Sequence, residues 1–101
     1  MSGEAKRKPK FPLGRVVATP GALAALEEVG GDVRILLDRH SSLDRGALSL
    51  ADHRSNEMAL EDGSRILSSY VVEGVKFWVI TEARNDDGGR ASSCVLLPAD
   101  Y

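Results

Sequence analysis

From Arg65 to Glu82 the chain alternates, with Ile66, Tyr70 and Val72 on one side of Glu73-Gly74 and Val75, Phe77 and Val79 on the other falling at even spacing. That is the period of pleated strands. With Glu73-Gly74 as a two-residue turn, Val72 faces Val75, Tyr70 faces Phe77, Ser68 faces Val79 and Ile66 faces Thr81. One face of this hairpin is apolar and aromatic. The other carries Leu67, Ser69, Val71, Lys76, Trp78, Ile80 and Glu82 and is mixed. Upstream the spacing changes to that of helices. Leu23, Leu26 and Val29 follow Thr19-Pro20, where threonine caps free amides and proline needs no partner, and Gly30-Gly31 ends the run. Asp32 caps a second helix reaching about His40, with Val33, Leu36, Leu37 and His40 at i, i+3, i+4 and i+7. Ser41 to Leu48 reads as a loop. Ser49-Leu50-Ala51-Asp52 resembles a capping box and opens a third helix from about Ala51 to Asp62, closed by Gly63. Phe11 to Ala18 is extended, with Arg15 to Ala18 as its body. Arg84 to Arg90 has the composition of an exposed loop, and Ala91 to Leu97 forms a last strand stopped by Pro98.

The elements therefore run strand, three short helices, then a three-stranded antiparallel meander: an α+β domain over residues 11–101, its helices on one sheet face and its first strand at an edge. Residues 1–10, with Lys6-Arg7-Lys8-Pro9-Lys10, read as a disordered basic tail. With 101 residues, such a domain buries roughly 60 to 65% of its unfolded surface. Thirteen basic against fifteen acidic residues give a net charge of −2, which argues against nucleic acid as a partner except through the Lys6 to Lys10 tail. The single cysteine, Cys94, excludes an internal disulfide, sits in an apolar run that favours packing over reactivity, and fits a reducing cytoplasm. No apolar run approaches the ~18 residues of a membrane span, and no signal peptide is visible, so the expected location is cytoplasmic.

Candidate chemistry gathers at predicted element ends, at Arg39, His40, Asp44, Thr81, Glu82, Arg84, Ser92 and Ser93. Histidine titrates near neutrality and arginine can stabilise a phosphate-centred transition state, so His40 and Arg39 with Thr81 or Ser92 are the parts of a small metal-independent RNase-like toxin. The competing reading packs His40 at the end of an apolar stripe with one ring nitrogen bonded to backbone, and leaves His53 exposed. The two histidines and lone cysteine have no zinc-ligand spacing, and Asn85-Asp86-Asp87-Gly88 lacks the later glutamate of a calcium loop. No phosphate-binding loop, nucleophile elbow or Cys-x-x-Cys is present, so neither metal nor cofactor is expected. Trp78 either covers the core or anchors a partner, with Asp44, Arg45, Glu82 and Arg84 as further binding candidates. Both hairpin faces carry apolar groups while three short helices cover one, which points to a homodimer through the hairpin or to another protein.

The phrases Leu13-Gly14-Arg15-Val16-Val17-Ala18-Thr19-Pro20-Gly21-Ala22-Leu23, Arg39-His40, Asn56 to Arg65, Trp78-Val79-Ile80-Thr81-Glu82-Ala83, Leu96-Leu97-Pro98 and Asp100-Tyr101 resemble a family of small uncharacterised proteins carried on bacterial plasmids and integrative elements. The likeness spans about residues 11–101. Relatives are sometimes labelled subunit M of a type I restriction enzyme. A methyltransferase of that kind needs a glycine-rich turn and a cofactor domain longer than this chain. The chain departs from the family pattern at Leu43-Asp44-Arg45-Gly46, where relatives tend to have Gly-Asp-Trp-Gly, and at Ser92-Ser93, where they more often have threonines; its loop after Ala83 is longer. What the resemblance implies is a mobile-element context and no established activity. The leading expectation is an accessory protein that binds a host or element protein without catalysis, with a counter-defence role against restriction or CRISPR systems fitting that context; the rival expectation is the RNase-like toxin.

Overall fold

The computed structural model describes residues 8–101, so Lys6 and Arg7 of the basic cluster lie outside the described residues. Lys8, Pro9 and Lys10 are exposed, and the Lys10 amide donates to the Ser41 carbonyl at 2.7 Å. The order is β1 (Arg15–Ala18), α1 (Pro20–Val29), α2 (Val33–Ser41), α3 (Leu50–Asp62), β2 (Ile66–Val72), β3 (Val75–Thr81) and β4 (Ser92–Leu96), closed by a 3-10 turn over Pro98–Asp100. Each helix starts on the side chain its sequence offers. Thr19 accepts from the Ala22 amide at 3.1 Å, Asp32 from Arg34 at 2.9 Å and Ser49 from Asp52 at 3.1 Å, satisfying amides that have no partner within the helix.

The hairpin has the expected register, from Ile66 opposite Thr81 to Val72 opposite Val75. Its turn residues Glu73 and Gly74 have φ of 47° and 80°, both in the left-handed region that two-residue turns of this twist require. The sheet order is β1-β4-β3-β2, and β2, β3 and β4 pair antiparallel. The sheet as a whole is mixed rather than antiparallel, because β1 runs parallel to β4 with Val16 beside Ser93 and Val17 beside Cys94. Local alternation sets which side chains share a face but not the direction of a partner about 75 residues away.

The helices lie over the face that carries Tyr70, Phe77, Val79 and Val95, where Ala22, Leu26 and Leu36 complete a fully buried core. A second cluster, Phe11, Leu43, Ala59 and Ile66, fills the other end. Phe11 therefore belongs to the core rather than to a strand; the first strand is confined to Arg15–Ala18. The loop before α3 turns at Gly46, where a Cβ would collide with the Tyr70 ring and the Ser69 carbonyl. The segment from Arg84 to Arg90 differs from its reading as an exposed loop at its last residue. Arg84 and Arg90 form an isolated bridge, and Arg90 is only 5% exposed. Its guanidinium donates to the carbonyls of Ser64 at 2.8 Å, Glu82 at 2.9 Å and Ala59 at 3.1 Å. A rigid fork of donors suits it to tie the end of α3 to the end of β3.

Candidate functional site

His40 stands in the last turn of α2, on the stripe begun by Val33 and Leu36, and that stripe faces the sheet. The ring is fully enclosed. Where the core is apolar at Phe77 and Val79, it is hydroxylic beneath His40: Nδ1 lies 2.7 Å from Ser68 Oγ and Nε2 lies 2.8 Å from Thr81 Oγ1. Thr81 Oγ1 is in turn 2.6 Å from Ser93 Oγ, and Ser93 donates to the Leu13 carbonyl at 2.7 Å. That last bond fixes the direction of the whole chain. Ser93 has one proton and gives it to a carbonyl, so it accepts from Thr81; Thr81 then accepts from His40 Nε2–H, and Nδ1 is left to accept from Ser68. Every donor meets an acceptor only when the ring is neutral with its proton on Nε2.

The electrostatics agree with a neutral ring. Burial first, and the Arg90 guanidinium second, push the His40 pKa from 6.5 down to about 3. Phe11 closes the ring's edge at 5.2 Å, perpendicular to it, and Arg90 lies 5.7 Å from the Phe11 centroid. The expected contact of His40 with backbone is replaced by two side-chain hydroxyls.

Of the residues proposed for nuclease chemistry, the fold brings His40 and Thr81 together but not Arg39 or Ser92. Arg39 Nε reaches Asp44 at 2.7 Å, and its guanidinium lies 4.4 Å from the Tyr70 centroid. Tyr70 in turn donates to the Asp44 carbonyl at 2.9 Å, so these three pin the loop after α2. Ser92 is one residue from Ser93 and therefore on the opposite face of the pleat. Arg84 donates to the Glu61 carbonyl at 2.5 Å and closes the C-terminal end of α3. Arg45 Nε donates to the Leu48 carbonyl at 2.9 Å, while Glu82 is exposed beside β4. His53 is half-buried rather than exposed, 3.7 Å from Glu57. An open groove of about 270 Å³ between α3 and β2 is lined by Leu48, Asp52, Asn56 and Arg65 among others, and none of the nuclease candidates borders it. Among the described residues no group of three His, Cys, Asp or Glu side chains is placed to hold a metal ion, and no helix is long and apolar enough to cross a membrane.

Trp78 is on the outer face, away from the helices, beside Leu96 of β4 and Ser69 of β2. It is half-buried, because the C-terminal residue folds back over it: the Tyr101 ring meets the indole edge-on at 5.7 Å. Arg65 holds Tyr101 in place by a 2.9 Å bond to its hydroxyl and lies 5.9 Å from its ring centroid. Ile80 and Leu96 are buried on this face as well, whereas Val17, Val71 and Tyr101 stay exposed.

Sequence reasoning missed Ser68, Arg90 and Tyr101. Ser68 was legible as the polar position on the apolar hairpin face, but nothing local connects it to a histidine 28 residues earlier. Compared with known proteins, the chain shows no significant match to a family model, a curated protein or a solved structure.

Proposed function

We propose that the protein acts by binding a protein partner, without catalysis, through the outer face of the sheet around Trp78 and Tyr101. The observation that carries this reading is the aromatic pair itself. Tyr101 is 69% exposed while holding Trp78 edge-on, and the same face carries exposed Val71 on the adjacent β2 and exposed Val17 on β1, beyond β4, at 51% and 40% exposure. Preordered aromatics with an exposed apolar surround are what protein interfaces concentrate at their centres. The nuclease alternative loses support from the same geometry, since its base has both ring nitrogens bonded inside the core and its arginine is turned to Asp44. The resemblance to mobile-element proteins supports a host or element protein as the partner and a counter-defence role as its setting.

The test is affinity capture from host lysate on the immobilised full chain, with an RNA-cleavage assay alongside. Trp78→Ser and Tyr101→Ser, each shown to be folded, are expected to lose a protein that the wild type and a Met58→Glu control on α3 both retain. RNA cleavage by the wild type that disappears in His40→Ala would overturn the reading in favour of the nuclease.

A further inference from the structure

The two edges of the sheet differ in a way the proposed partner surface does not use. At the β2 edge three of the outward-facing groups, on Leu67 and Ser69, are taken: the Ala47 amide donates to the Ser69 carbonyl at 2.7 Å, and the Asn56 side chain both donates to the Leu67 carbonyl at 2.7 Å and accepts from its amide at 3.3 Å. The β1 edge is different. The amides of Arg15 and Thr19 donate inward to the Ala91 and Val95 carbonyls, so odd-numbered residues serve β4 and the amides and carbonyls of Val16 and Ala18 point away from the sheet. Among the described residues no hydrogen bond reaches them. Val16 and Val17 are 44% and 40% exposed, and Arg15–Ala18 contains no proline or lysine; its short length of four residues and the charge of Arg15 are what guard this edge in the single chain.

We propose that β1 is the seam of a two-fold dimer, pairing antiparallel with β1 of a second copy so that the two sheets continue into one. This goes beyond the partner surface proposed above and does not depend on it. One register uses both outward residues: Val16 opposite Ala18 of the second copy, Val17 opposite Val17. Placing Val16 opposite itself would draw in Gly14, whose φ of +67° is outside the extended region, and the opposite shift would require an amide proton from Pro20. Charge argues for a second copy over a foreign strand. The register sets Arg15 opposite Thr19 of the second copy, whose hydroxyl donates to the exposed Asp100 carboxylate at 2.6 Å. That carboxylate is otherwise bound at 3.0 Å by the neutral Leu97 amide, and Arg15 brings it a cation at both ends of the seam. Val17 from each copy meets on the outer face, joining the two apolar surfaces.

Sedimentation equilibrium of the full chain tests this, with far-UV circular dichroism confirming that each variant is folded. The wild type is expected to dimerise. Val17→Lys, which sets two like charges opposite one another, and Val16→Pro, which removes an outward amide and leaves the β4 ladder intact, are each expected to weaken association about tenfold or more. Arg15→Glu should weaken it and Arg15→Glu with Asp100→Lys should restore it, a rescue that only this register supplies. Val17→Cys in a Cys94→Ser background should cross-link on oxidation, since opposed residues of a non-hydrogen-bonded pair lie about 4.5 Å apart, within disulfide reach. A wild type that stays monomeric to roughly millimolar concentration, a dimer indifferent to all these changes, or a monomer that dimerises only once residues 1–7 are removed would each overturn the proposal.

Discussion

Phe77 and Trp78 are neighbours on β3 and have opposite fates. Phe77 points under the helices and is fully enclosed; Trp78 points outward and is covered by one residue, Tyr101. The same division runs across the whole sheet. On the helix side the apolar groups are packed and the polar ones, His40, Ser68, Thr81 and Ser93, are joined donor to acceptor without a gap. On the outer side Val17, Val71 and Tyr101 face solvent. A fully satisfied buried network rigidifies a core and has no group left over for a ligand. The buried polar network and the exposed apolar surface are therefore on opposite faces of the sheet.

The largest way to break that comparison is to truncate the two neighbours in turn. Phe77→Ala is expected to lower stability by about 3–5 kcal/mol, the range for an aromatic removed from a packed core. Arg90→Leu follows at about 3 kcal/mol, because the Ala59, Ser64 and Glu82 carbonyls lose a charged donor inside the fold. Chemical denaturation at pH 7 measures both.

Acid should act through His40 next. Its folded pKa is about 3 against 6.5 for the free group, so between those values the unfolded chain binds a proton that the folded one refuses. Stability is then unaffected above about pH 6.5 and falls as pH drops toward 3, by about 2–3 kcal/mol between pH 7 and pH 4.5. The exposed carboxylates Asp62 and Asp100, held below their usual range chiefly by Ser64 and Thr19, lose stability in the same direction. Urea titrations of wild type and His40→Gln at the two pH values separate the contributions: the part due to the histidine disappears in the variant.

Trp78→Ala should lower stability by only about 1 kcal/mol, since the indole is half-buried, while removing partner capture. A loss as large as that of Phe77→Ala would make Trp78 part of the core and erase the contrast between the faces. Smallest is Glu73→Asn, which places at φ 47° a residue that tolerates it and should raise the unfolding midpoint by the equivalent of about 0.5 kcal/mol.

How much of this was legible follows from how far apart the deciding residues are. Thr19, Asp32 and Ser49 announced the helix starts because a cap acts within three residues, and Glu73-Gly74 set the hairpin register because its partners follow directly from a two-residue turn. The direction of β1 was not legible, since its partner β4 comes about 75 residues later. His40 was placed on the buried stripe by periodicity, but Ser68, Thr81 and Ser93 reached it only through the sheet. Ser92 and Ser93 show the limit most plainly: adjacent and chemically identical, they are separated by the pleat, and the core position of Val95 decides which of them turns inward. Arg90 read as loop because its neighbours are Asn, Asp and Gly, while its three carbonyl partners belong to other segments.

The measurement that tests the division between the two faces most directly is a nitrogen-15 NMR titration of the His40 ring from pH 8 to pH 4. The account predicts a neutral imidazole with its proton on Nε2 across that range, unchanged by added RNA. A ring that titrates between pH 6 and 7, or carries its proton on Nδ1, would contradict it by showing that the network is open and the histidine is free for chemistry.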